Sequence, residues 1–236
     1  MSGIHLHIIT EGQTEQQFVL KVLAPHLAHY QVYADARCIL TSKDKHTGKQ
    51  YRGGLLSYQK AKNDIQTWLK EDSRTNCRFS TMFDFYALPN DFPDFTNAQK
   101  KTDPYQKIDC LEAALAQDIL DNRFIPYIQL HEFEALYFAD STRFLEINPR
   151  WSEKHKADIL EILKEFNNEP ELINNKYETA PSKRLENKLR YTKIHHTGLF
   201  VQYLENYNLI TAAVINMSQK CPHFNQWLTK LIKLVE

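Results

Sequence analysis

Two hydrophobic periods alternate along the first half of the chain, and one of them takes over the second half. Residues 4–9 (IHLHII) form a short, largely β-branched apolar run, the pattern of a strand buried on both faces. From Thr14 onward, Phe18, Val22 and Leu23 recur at helical spacing as far as Pro25. Residues 31–40 (QVYADARCIL) predict a second strand, and Leu55, Tyr58, Ile65, Trp68 and Leu69 predict one side of an amphipathic helix over 55–70. A third strand is predicted at 79–86 (FSTMFDFY). The ALPNDFPDF segment behind it holds two prolines and an Asn-Asp pair and predicts no regular element. Helical spacing resumes over 105–121 at Ile108, Leu111, Leu115 and Ile119, and FIPYIQL at 124–130 predicts a fourth strand with a proline at its start or edge. Beyond 131 the pattern is almost entirely helical, with helices predicted around 152–166, 182–190, 199–216 and 223–235.

Strands alternating with helices predict an α/β fold whose mostly parallel, four-stranded sheet is covered on both faces, ending near residue 140. A chain of 236 residues suits one such domain with an extension. With 42% hydrophobic and 25% charged residues it belongs with folded globular proteins. Lys and Arg total 29 and Asp and Glu total 29, so net charge argues for no partner, and a nucleic-acid case must rest on local patches. Cys38, Cys77, Cys110 and Cys221 lie far apart without a CxxC, which predicts reduced thiols. No signal-like leader and no membrane-length apolar run is present, which predicts a cytoplasmic protein with no membrane partner.

Ligands of parallel α/β sheets collect at the carboxyl ends of the strands. Glu11 follows the first strand, with Gly12 read as permitting a sharp turn. Asp84 ends the third, with Asp91 and Asp94 in the loop beyond, and His131, Glu132 and Glu134 of HEFEA follow the fourth. Glu15, one helical turn beyond Glu11, can face the same cleft. Singly, each has a structural reading, as a charge at a helix N-terminus or a turn residue. Gathered in one cleft they repel, and such clusters persist mainly where a cation neutralises them. Oxygen donors with few imidazoles favour Mg2+ or Mn2+ over zinc, and HEFEA lacks the second histidine of HExxH. No GxxxxGK[ST] or GxGxxG occurs, so nucleotide energy, if used, comes from a partner.

Two segments are locally basic. The first, TSKDKHTGKQYRGG, contains Lys43, Lys45, Lys49 and Arg52, and reads as a solvated loop or a phosphate contact. The second, APSKRLENKLRYTKIHH at 180–196, contains Lys183, Arg184, Lys188, Arg190 and Lys193 interleaved with Tyr191, His195 and His196. It reads as a solvated helix face or a phosphate-backbone contact, and an acidic cleft nearby favours the latter.

A strand ending in Glu-Gly and a later strand ending in Asp, in a parallel sheet, resemble the TOPRIM domain of topoisomerases, primases and OLD-type nucleases. The strings EGQTE, FDFYALPNDFP, IQLHEFEALYFAD and APSKRL more specifically resemble the domain-of-unknown-function family 4276, over about residues 4–195. That family includes the TOPRIM effector nuclease of the PARIS anti-phage system, which works beside an ABC-type ATPase. The resemblance implies a TOPRIM-like α/β domain over 1–140 and a helical extension over 141–236 packed on it. It matches Glu11 to the TOPRIM glutamate and Asp84 to the first Asp of its DxD motif, while Tyr86 stands where the second Asp is usual. Glu134 and Glu132 then complete the metal shell in preference to Asp91 and Asp94.

The expected function is a Mg2+- or Mn2+-dependent nuclease acting on DNA or RNA phosphodiesters, with transfer RNA among the substrates the family implies. It would serve as a toxic effector of phage defence controlled by an ATPase partner. Glu11, Asp84 and Glu134 would bind metal, and His131 would donate a proton or orient a carboxylate. Lys183, Arg184 and Lys193, with Lys49 and Arg52, would offset phosphate charge. Two other classes stay open: a catalytically inactive interaction or regulatory subunit of an ATPase complex, and a small-molecule metal phosphatase. Phe224, Trp227, Leu228, Leu231 and Ile232 form a stripe that suits either internal packing or a homodimer surface.

Overall fold

The structure is a computed structural model and describes residues 3–43, 50–52, 55–174, 177–204 and 207–236. Its centre is a parallel sheet of β1 (Ile4–Thr10), β2 (Val32–Cys38), β5 (Cys77–Asp84), β6 (Phe124–Ile125) and β7 (Ile128–Gln129). The order is β2-β1-β5-β6, with β7 also beside β5, and every pairing is parallel. Parallel pairing puts the carboxyl ends of β1, β5 and β7 on one edge, as the alternation of elements predicts.

The predicted fourth strand is broken in two, because Pro126 has no N–H to give to the ladder. A side chain repairs the gap. The Thr81 hydroxyl of β5 accepts from the Tyr127 N–H at 2.9 Å and donates to the Tyr127 carbonyl at 2.9 Å. Another departure is a short antiparallel hairpin, β3 (Leu40–Lys43) with β4 (Gln50–Arg52), in the segment read as a polar loop. Lys49 and the glycines of that segment lie outside the described residues. Arg52 ends β4, and its side chain is likewise undescribed.

On one face of the sheet, α3 (Tyr58–Glu71) and α5 (Pro104–Ile119) bury Ile65, Leu69, Leu111 and Leu115 against Phe79 and Phe83. The other face begins with α1 (Gln13–Phe18), which runs through a π-helical turn (Val19–Leu23) into α2 (Ala24–Ala28). The C-terminal helices cover the rest of it: α8 (Glu153–Glu165), α9 (Pro181–Leu189), α10 (Lys193–Tyr203), α11 (Tyr207–Lys220) and α12 (Pro222–Ile232). Leu6 and Ile8 of β1 share one apolar core with Phe200, Ile210, Val214, Phe224 and Leu231 of these helices. Trp227 lies flat on Tyr127, with ring centroids 4.1 Å apart, and donates its indole N–H to Ser80 Oγ at 2.9 Å. The Phe224–Leu231 stripe is therefore internal packing. The single helix predicted over 199–216 is two helices, and the first already starts at Lys193. No disulfide joins the four cysteines. Among the described residues no helix is long and apolar enough to cross a membrane.

Candidate functional site

The carboxyl edge of the sheet gathers four carboxylates around one ammonium. Glu11 leaves the end of β1 and Asp84 closes β5. Glu134 precedes the short helix α6 (Ala135–Ala139), and Glu15 sits in the first turn of α1. Lys193 opens α10. Its Nζ lies 3.0 Å from Glu15 Oε1, 3.5 Å from Glu134 Oε1 and 3.6 Å from Asp84 Oδ2. Glu11 Oε2 accepts the Asp84 backbone N–H at 3.3 Å, and Asp84 Oδ1 accepts the Phe133 N–H at 2.8 Å. The Tyr191 hydroxyl donates to Glu134 Oε1 at 3.2 Å, and Glu134 Oε2 is buried without a hydrogen-bond partner.

Glu15, Asp84 and Glu134 are buried, so their charges are costly and mutually repulsive. Burial, then Glu15, pushes the Glu11 carboxyl up to about 7. Burial raises Asp84 well above the ordinary carboxylate range and raises Glu134, with Lys193 opposing in both cases. The lysine responds in the opposite sense. Burial of its end favours the neutral amine, but Glu134, Asp84 and Glu15 together outweigh this and hold the ammonium well above its usual pKa. Its side chain is 41% exposed, which locates the exposure on the stem while the charged tip is enclosed.

The chain bends at Glu11 and Gly12 as expected, but the bend does not draw on glycine's conformational freedom. The Gly12 φ of −143° is extended backbone open to any residue. What glycine provides is room, since a Cβ there would stand 3.0 Å from Glu15 Oε2.

The other residues singled out in the sequence separate from this group. Glu132 faces α9, where its Oε2 accepts the Ser182 N–H at 2.8 Å and ties that helix's first turn. His131 adopts a left-handed backbone with φ 63°, and its Nδ1 meets Asn174 Nδ2 at 3.2 Å. Burial, aided by Lys107, pulls its pKa down to about 4, so at neutral pH it is an uncharged imidazole and not an imidazolium donor. Tyr86 packs beside it with ring centroids 5.4 Å apart. The Tyr86 hydroxyl is buried without a partner, and burial followed by Glu132 pushes its pKa up to about 12. Asp91 accepts the Tyr58 N–H at 3.0 Å and caps α3, while Asp94 accepts from Asn97. Lys183 pairs with Glu186 at 2.8 Å, and Arg184 pairs with Glu165 at 2.8 Å.

Of the picked-out basic residues whose side chains are described, then, only Lys193 reaches the carboxylates. Tyr191 was visible only as an aromatic residue in a basic run, and nothing local marks it as a partner of Glu134. Chemically the cluster can hold a cation. In the arrangement described, that cation is the Lys193 ammonium, and no three carboxylate, imidazole or thiol groups among the described residues are placed to hold a metal ion.

No curated protein and no solved structure matches the chain. A family model described as Domain of unknown function (DUF4276) matches residues 10–232, nearly the whole length, and the chain belongs to that family.

Proposed function

We propose that the chain is a metal-dependent nuclease of TOPRIM type, hydrolysing nucleic-acid phosphodiesters at the Glu11, Glu15, Asp84 and Glu134 cluster. The observation that carries the reading is the charge imbalance: four carboxylates from three strand ends face a single ammonium, and one buried oxygen of Glu134 is left over. Hard oxygen donors in excess of cations suit Mg2+ or Mn2+. As placed around Lys193 these groups are not set about a metal ion; with the lysine withdrawn, Glu11, Asp84 and Glu134, supported by Glu15, would hold the ion, which when bound would polarise a phosphoryl oxygen and acidify an attacking water.

The chain's own residues supply the rest. Tyr191 fixes the orientation of Glu134, and the Asp84 and Phe133 backbone amides fix Glu11 and Asp84. Lys193, with an exposed stem, can exchange its carboxylate partners for a phosphate and offset the charge that develops there. The family resemblance extends the proposal to transfer RNA as a substrate, and to an anti-phage effector controlled by an ABC-type ATPase.

A specific observation favours a second reading. Lys193 already satisfies three carboxylates, as it would in a catalytically inactive interaction subunit held together by a buried ion cluster. The two separate in one assay. Wild type and Glu11→Ala are incubated with labelled DNA, total transfer RNA and small phosphate esters, with and without Mg2+ or Mn2+ and an ABC-type ATPase. Metal-dependent cutting of nucleic acid that disappears in Glu11→Ala is expected. Intact substrates under every condition, with ATPase binding preserved, establish the interaction subunit.

A further inference from the structure

The segment before α8, the N-terminal turns of α8 and α10 and the C-terminal end of α9 line an open cavity of about 470 Å3. Its charged and aromatic lining is Arg150, Trp151, His155, Lys188, Arg190 and His196, and no acidic side chain among the described residues lines it. Lys188 is paired with Asp158 at 3.3 Å, whereas Arg150 and Arg190 have no ion-pair partner among the described residues.

The two histidines are held by the N-terminal ends of their own helices. Each stands in the first turn of a helix, His155 in α8 and His196 in α10. The Ser152 backbone N–H meets His155 Nδ1 at 2.9 Å, and the Thr192 N–H meets His196 Nδ1 at 2.9 Å. A backbone N–H can only donate, so the neutral His155 ring carries its proton on Nε2, the nitrogen left for a ligand, whereas His196 Nδ1 also lies 3.1 Å from the Thr192 carbonyl, which can only accept. Trp151 stacks on His196 at 5.2 Å with the rings 13° apart, and its indole N–H is held by the Leu189 carbonyl at 3.0 Å. The N-terminal turns of α8 and α10 add positive potential, which the C-terminal end of α9 opposes.

We infer that this cavity is a second site of the protein and binds a phosphate group, as monoester or diester, on Arg150, Arg190, the Nε2–H of His155 and the His196 ring. Planar guanidinium forks and fixed N–H donors are the groups that recognise a phosphate's oxygens. Tyr191 links the cavity's lining to the carboxylate cluster, since its ring lies 5.5 Å from His196 and its hydroxyl donates to Glu134. The inference does not depend on metal chemistry at that cluster.

The test follows the histidine imidazole resonances of the full chain by NMR during titration with inorganic phosphate. Fluorescence anisotropy then compares a mononucleotide with short oligonucleotides with and without a 5′-phosphate. Arg150→Gln and Arg190→Gln replace exposed side chains, and Lys230→Gln on α12 is a charge-matched control. Melting curves confirm that each variant folds. Phosphate is expected to shift both His155 and His196, and each arginine variant to weaken binding about tenfold or more, as loss of a charged hydrogen bond implies. Binding of inorganic phosphate and mononucleotide as tight as that of the oligonucleotides assigns the site to a small ligand. Arginine-dependent binding confined to oligonucleotides assigns it to a nucleic-acid chain, and both results support the site. Unmoved histidine resonances, with the arginine variants binding no more weakly than Lys230→Gln, overturn it.

Discussion

Lys193 and Glu15 meet at 3.0 Å, joining the first turn of α10 to the first turn of α1 above the carboxyl edge of the sheet. The bridge ties a helix of the C-terminal part to the one that follows β1, and its lysine is also the counter-ion for Asp84 and Glu134.

Replacing Lys193 by Met leaves the carboxylates without a cation. Stability is expected to fall by about 2 kcal/mol, less than for a fully enclosed pair because the lysine stem reaches solvent and the carboxyls can take up protons. Adding Mg2+ should raise the melting temperature of the variant more than that of wild type. Equal stability of the two proteins in metal-free buffer would show that Lys193 is not the neutralising group.

The Glu11 carboxyl, pushed up to about 7 from an ordinary 4.5, makes stability depend on pH with a definite sign. A raised pKa gives stability that is complete below the ordinary value and lost as pH rises through the folded one. Urea midpoints of the metal-free protein should therefore fall between about pH 5 and about pH 8, and Glu11→Gln should flatten the slope. Mg2+ binding requires ionised carboxylates, so metal-induced stabilisation should grow across the same window. If no midpoint responds to Mg2+ or Mn2+ at any pH, the metal-binding reading is abandoned.

A second titrating group lies away from the site. His7 Nδ1 meets Asp35 Oδ1 at 2.7 Å and Nε2 meets Asp72 Oδ2 at 2.7 Å, against the Trp68 and Phe79 rings. Burial pulls its pKa down, but the two carboxylates outweigh it and the net shift is upward from 6.5. Its contribution is complete below 6.5 and lost as pH rises through the higher folded value. Asp72→Asn should therefore cost about 1 kcal/mol more near pH 6 than near pH 9, the Arg74 contact being constant over that range. A pH-independent loss would mean that His7 carries no charge in the folded protein.

Trp227→Ala should cost about 3–5 kcal/mol, the range for a large aromatic lost from a packed core. Trp227→Phe, which keeps much of the stack on Tyr127 and forfeits the bond to Ser80, should cost about 1–2 kcal/mol. Because sheet and C-terminal helices share this core, both should melt in one transition when followed by near-UV and far-UV circular dichroism. Two separated transitions would show that the helical part is an independent unit.

The hydrophobic periods determined the existence of most elements, because side-chain alternation on a strand and recurrence on a helix are local properties of the backbone. They also made Glu11 and Asp84 legible as neighbours, since parallel strands must present their carboxyl ends on one edge. The broken fourth strand was half visible in Pro126, but its repair by Thr81 was not. In HEFEA the sequence offered two glutamates two residues apart, and only tertiary packing sent Glu134 to Lys193 and Glu132 to the first turn of α9. The role of Lys193 was likewise hidden. Read locally it was one more cation in a basic run; what enclosed its ammonium among Glu15, Asp84 and Glu134 was the docking of α10 beside α1, a contact between distant parts of the chain that no local period encodes.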